Sequence, residues 1–170
     1  ALNVKEGPLS EIVPDVVISE IVPGEGIEVY NTTNADIDLA ETQIHLCAFP
    51  IYTDGTIATL AGNATKIPRK GYLKLEWPED FTKETTTENG ELLLYEGRSN
   101  IPSAEGLYDF VCWGTPSATR KDMEAGGKYL WSGDCAPAME DGSLQRKPNT
   151  DGESAASYDV TKAPDLENCP

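Results

Sequence analysis

Apolar residues in this chain come in short runs, and nearly every run is closed by glycine, proline or an Asn/Asp turn. The segment from Asp15 to Val22 is rich in β-branched residues and stops at Pro23-Gly24-Glu25-Gly26. Ile27 and Val29 then alternate with Glu28 and Tyr30, the period of a strand with one buried face. Leu73, Leu75 and Trp77 share one parity in the same way. Glu91 to Tyr95 and Gly106 to Trp113 bracket a turn-rich connection and pair most simply as antiparallel neighbours. Strands at such close intervals imply an all-β fold, a sandwich or a barrel. Alternation then assigns Leu73, Leu75, Trp77, Leu92, Leu94, Val111 and Trp113 to the core.

The connections carry further expectations. Residues 1–14, with Gly7, Pro8 and Pro14, read as an N-terminal arm or linker ahead of a single domain over 15–170. Between Ile37 and Phe49 the parity breaks at Ala40-Glu41, as a bulge or a loop between two short strands would require. Asp54-Gly55, set between Ile51-Tyr52 and Ile57-Ala58, reads as a hairpin turn. Residues 115–142 form the longest excursion. Ser117 or Thr119 is placed to cap one or two helical turns through Ala125, ended by Gly126-Gly127. Leu144 to Arg146 and Ser157 to Val160 read as short terminal strands.

Charge restricts the partners. The 170 residues hold 13 basic and 29 acidic side chains, a formal charge of −16. Such a chain repels nucleic acid and anionic membranes. Its longest basic runs are the pairs Arg69-Lys70, Arg120-Lys121 and Arg146-Lys147. No apolar run approaches the ~18 residues of a membrane span, and no signal peptide is visible after Ala1.

Four cysteines, Cys47, Cys112, Cys135 and Cys169, are widely spaced without a CxxC pair, and His45 is the only histidine. Zinc would have to draw ligands from four scattered segments, so two disulfides in an oxidising compartment are the expectation. Spacing favours Cys112–Cys135, closing the excursion onto the strand that launches it, with Cys47–Cys169 tying down the tail. Cys47–Cys112 with Cys135–Cys169 competes with it.

Catalytic signals are sparse. A Ser-His-Asp arrangement has only His45 to use, which reads as a strand-surface histidine, and there is no GxSxG elbow. Paired carboxylates for glycoside hydrolysis are uninformative among 29 acids. Calcium has two candidate loops, Asn149-Thr150-Asp151-Gly152-Glu153 and Asn34-Ala35-Asp36 with Asp38; neither continues as an EF-hand, and turn chemistry accounts equally for both. No resident cofactor is expected. Glycosylation sequons start at Asn31 and Asn63.

In order along the chain, Ser19-Glu20, Glu28-Val29-Tyr30-Asn31 and Leu39 are followed by IPRKGYLKLEW, LYDFVCWG, Gly142-Ser143-Leu144-Gln145-Arg146 and the closing APDLENCP. Over roughly residues 15–169 this set resembles a lamin tail domain of the secreted bacterial type. The chain departs from that pattern at Glu41-Thr42, where Gly-Trp is common, and at the missing terminal Thr-Pro-Gly. It has no heptad rod and no prenylation box. The resemblance implies an immunoglobulin-like β-sandwich used as a non-catalytic structural or interaction module, secreted or on the cell surface, with a protein or surface glycan as partner. It brings no catalytic residue. Glu20, Glu28 and Asn31 match recurrent polar positions of the family and are the candidates for a polar site; satisfying backbone groups at strand ends is their alternative role.

Overall fold

β-branched runs stiff at χ1 pack best on a pleated sheet, and the early segments fold accordingly. The computed structural model describes residues 14–48, 51–52, 55–96, 106–116, 120–122, 124–125 and 128–166. Among them the chain forms β1 (Val16–Val22), β2 (Gly26–Asn31), β3 (Ile37–Asp38), β4 (Ile44–Ala48) and β5 (Ile51–Tyr52). A single helical turn, α1 (Ile57–Leu60), leads to β6 (Lys66–Ile67), β7 (Tyr72–Glu76), β8 (Gly90–Glu96) and β9 (Leu107–Trp113). β10 (Glu124–Ala125), β11 (Lys128–Tyr129), β12 (Leu144–Arg146) and β13 (Tyr158–Asp159) complete the order.

Two antiparallel sheets carry the architecture, one in the order β13-β12-β1-β2-β7 and the other β5-β4-β8-β9. The pairs β3-β6 and β10-β11 form small sheets of their own. The expected all-β sandwich is therefore what the chain builds. Ile18, Ile21, Ile27, Val29 and Leu75 of the first sheet and Ile44, Leu46, Leu92, Leu94 and Val111 of the second are fully buried in one core. Of the expected core residues, Leu73 and Trp77 are only partly buried, because β7 is the edge strand of its sheet.

β1 and β9 meet across the seam between the sheets. β12 pairs with β1 only at Glu20 and Ile21, and the β1–β2 register shifts between Ile18 and Glu20. The Ile18 amide instead donates to Asp109 Oδ2 of β9 at 2.8 Å, and the Phe110 amide donates to Asp109 Oδ1 at 2.9 Å. Arg146 Nη1 lies 3.6 Å from Asp109 Oδ2. Burial pushes the Asp109 carboxyl up to about 6, against the pull of Arg146 and of the two amides.

Two local expectations are corrected. Glu124 and Ala125 are strand residues, with Glu124 opposite Tyr129 and Ala125 opposite Lys128, and not the end of a capped helix. The glycine pair Gly126-Gly127 and the proposed caps Ser117 and Thr119 lie outside the described residues. Asp54 lies outside the described residues, and the strand expected after it at Ile57-Ala58 does not form. β5 pairs back onto β4, and Ile57 opens α1, with its fully buried side chain driven into the core. The expected arm at 1–14 falls outside the described residues except for Pro14.

The excursion forms a third layer. Ala136 bridges to Trp113, its amide donates to the Cys112 carbonyl at 3.0 Å, and Trp131 meets Phe110 edge to face at 6.1 Å. As a result β8 is buried from Gly90 through Tyr95 and β4 along its whole length. His45 is accordingly buried and stacked on Tyr95 at 5.7 Å, which corrects the expectation of a surface histidine.

Candidate functional site

The outer face of the first sheet is where the sequence candidates collect. Glu20 and Glu28 stand opposite each other across β1 and β2, and both are buried. The cover over Glu20 comes from the end of the chain. Ser143 Oγ donates to the Lys162 carbonyl at 2.7 Å, Gln145 Nε2 to the Ala163 carbonyl at 2.9 Å, and the Asp165 amide to Glu20 Oε2 at 2.8 Å. Burial raises the Glu20 pKa; the Asp165 amide opposes the shift, and the Glu28 charge adds to it. Glu28 Oε1 accepts from Ser19 Oγ at 2.6 Å. Asn31 is fully buried, and its amide nitrogen donates to the carbonyls of Ala35, Ile67 and Pro68 while Oδ1 accepts from the Thr33 amide and hydroxyl. The structure thus brings Glu20 and Glu28 together, holds Asn31 in a separate turn, and engages all three with neighbouring protein groups.

Beside the tail the same face opens into a groove of about 280 Å³. Val17, Tyr30 and Tyr72 form a cross-strand row along its floor, with the two tyrosine rings 4.7 Å apart and tilted by 42°. Lys70, Arg146 and Lys147 supply its cations, and Thr32, Ser19 and Asn149 its neutral polar groups; no carboxylate lines it among the described residues.

Local structure fixes these groups to different degrees. Arg146 is nearly buried, held by the Thr150 carbonyl at 2.8 Å and by Asp109. Lys70 Nζ donates to the Thr32 carbonyl at 2.6 Å from a backbone with φ of +49°, an unfavourable conformation for a lysine. Lys147 is exposed, and its ammonium interacts electrostatically with Asp159. Two of the three basic pairs in the sequence therefore converge here. Their isolation in a chain of −16 charge was the available signal; their proximity was not readable, since 76 residues separate Lys70 from Arg146.

The third basic pair is used elsewhere. Under the excursion the Arg120 amide donates to Glu91 Oε2 at 3.2 Å, Arg120 Nε lies 3.8 Å from Glu91 Oε1, and Nη2 donates to Cys47 Sγ at 3.2 Å. Burial raises the Glu91 pKa, opposed by Arg120. Cys112 and Cys135 form the expected disulfide, which overturns the Cys47–Cys112 alternative. Cys169 lies outside the described residues, and with it the pairing expected for Cys47.

Both calcium candidates are turns with their oxygens engaged. Asp36 accepts from the Arg69 amide and from Lys66 Nζ, each at 2.9 Å, which holds its carboxyl below the usual range. Asp38 Oδ1 takes the amides of Ala40 and Glu41, and Asp151 Oδ1 those of the Glu153 amide and the Ser157 hydroxyl. Asn149 and Gly152 adopt left-handed backbone conformations, as these turns demand. No group of three or more potential ligands is arranged for a metal among the described residues, and none of their helices is long and apolar enough to cross a membrane.

No family model, curated protein or solved structure matches the chain.

Proposed function

We propose that this chain is an exported, non-catalytic interaction module of the lamin-tail type, and that the groove beside the C-terminal tail is its contact surface. The observation that carries this reading is the contrast within one sheet face: Glu20 and Glu28 are covered, while Lys70, Lys147 and the tyrosine row border an open groove. A hydrolytic rival needs two carboxylates facing a substrate site. Glu20 and Glu28 instead serve the Asp165 amide and the Ser19 hydroxyl.

The residues behind the family resemblance make structural contacts. Asn31 closes a turn, Asp109 caps the β1 irregularity, and Ser143 and Gln145 hold the tail. Such uses suit a scaffold whose specificity lies elsewhere. The Cys112–Cys135 bridge supports export, because disulfides persist in oxidising compartments.

The test is an array of saccharides and peptides probed with the purified protein and its Tyr72→Ala variant, with thermal melts alongside. Signals lost in the variant at unchanged Tm support the reading; signals indifferent to the groove overturn it. Turnover of any arrayed compound that disappears in Glu20→Gln or Glu28→Gln overturns the non-catalytic assignment. Alkylation of Cys112 and Cys135 in the native protein overturns export.

A further inference from the structure

We infer that the groove binds an acidic saccharide, a pyranose ring carrying a carboxylate or sulfate. This rests on the groove being the contact surface, as proposed above, and adds the class of ligand. Three features of the site converge on it.

The first is charge. The chain as a whole repels anions, yet Lys70, Arg146 and Lys147 gather around one depression with no lining acid. At physiological salt, charges beyond about 8 Å are largely screened, so the lysines at the rim set the local potential. Arg146 contributes less, because Asp109 lies against it. Glu28 is the acid joined to the lining by a hydrogen bond, and that bond, from Ser19 Oγ, engages its Oε1. Lys147 is exposed and shares its charge with Asp159 without a close ion pair among the described residues.

The second is the floor. Tyr30 and Tyr72 offer apolar ring surface beside phenolic hydroxyls, which suits a sugar ring with its C–H face and its hydroxyl rim. Both are half-buried, so the rings are already ordered before a ligand arrives. Thr32 and Asn149 add a hydroxyl and an amide within the same lining.

The third is size and backbone. About 280 Å³ sits at the small end of ligand sites, enough for one or two rings. Lys70 is kept in a left-handed turn that glycine would occupy without strain, in the Pro68-Arg69-Lys70-Gly71 corner that places its ammonium against Thr32.

Calorimetric titration with trigalacturonate, a sulfated galactotriose, neutral galactotriose and poly-L-glutamate tests the inference. The expected result is binding of one or both acidic trisaccharides and at least about tenfold weaker binding of the neutral one; the two acidic arms tell carboxylate from sulfate. Lys147→Ala and Lys70→Gly should each weaken the acidic ligand by about fivefold. Lys70→Gly relieves the backbone and keeps the fold, so a loss there is not a folding defect. Equal affinity for the neutral trisaccharide overturns the acidic assignment while leaving a groove-dependent module intact. Tighter binding of poly-L-glutamate overturns it in favour of an acidic peptide. Absence of binding in all four titrations overturns it as well, and the array then decides whether the groove is a contact surface at all.

Discussion

The two outer faces of the sandwich are finished in different ways. Over the β4-β8-β9 face lies a covalently anchored layer, the 115–142 excursion, pinned by Cys112–Cys135 and by the buried Arg120–Glu91 pair. Over the β12-β1-β2-β7 face lies the C-terminal tail, held by hydrogen bonds at Ser143, Gln145 and Glu20, and none of its described residues lines the groove. The first face spends its polar residues on closure. The second leaves Lys70 and Lys147 exposed and Tyr30 and Tyr72 partly open to solvent. On the proposed reading, stability and recognition fall to opposite sides of one fold, and substitutions on the two sides should separate accordingly.

Arg120→Ala should have the largest effect, a loss of about 3–5 kcal/mol in urea unfolding, because it strands Glu91 in a buried site. A loss below about 1 kcal/mol would mean that the excursion is not the seal described here.

Acidity sharpens the comparison next. Burial raises Asp109 at the seam to about 6, so the folded protein holds that proton more tightly than the unfolded chain does. The associated stability is fully present below the unfolded value near 3.8 and is lost as pH rises through about 6, a change of about 3 kcal/mol. Glu91 under the excursion and Glu20 under the tail are also raised and add the same sign. Unfolding free energies measured from pH 4 to 7 should therefore fall, and Asp109→Asn should remove the largest part of the slope. A slope unchanged in that variant would show the seam carboxylate to be ionised throughout.

The smallest effects belong to the second face. Glu28→Ala should cost about 1 kcal/mol, the worth of one hydrogen bond, by loss of its contact with Ser19. Lys147→Ala should stay within about 0.5 kcal/mol of the parent by thermal denaturation. A larger loss at Lys147 than at Arg120 would reverse the division of labour.

Alternation placed β2 and β7, whose Ile27, Val29 and Leu75 point into the core, whereas β1, buried along nearly its whole length, was legible from its β-branched run. It was less informative where both faces are covered. Leu92-Leu93-Leu94 is a continuous apolar run, and that run was the available sign of a layer outside β8. The stretch ending at Ala125 reads as one or two helical turns because Ala-Gly-Gly after a capping residue fits a helix end, a local signal that the pairing of Glu124 and Ala125 with Tyr129 and Lys128 overrides. Ile57-Ala58 was misassigned as strand because four residues are too few for either periodicity to declare itself. The burial of Glu20 was not legible locally, because its cover comes from a tail some 145 residues away. The groove was illegible for the same reason: long-range pairing assembles it.

β8 occupies a singular place in this arrangement, hydrogen-bonded to a strand on each edge and roofed on each face. Its amides can reach solvent only when the excursion has lifted and the sheet has parted as well. Deuterium should therefore enter β8 last, on the timescale of global unfolding, and the strand is a built-in clock for the whole molecule.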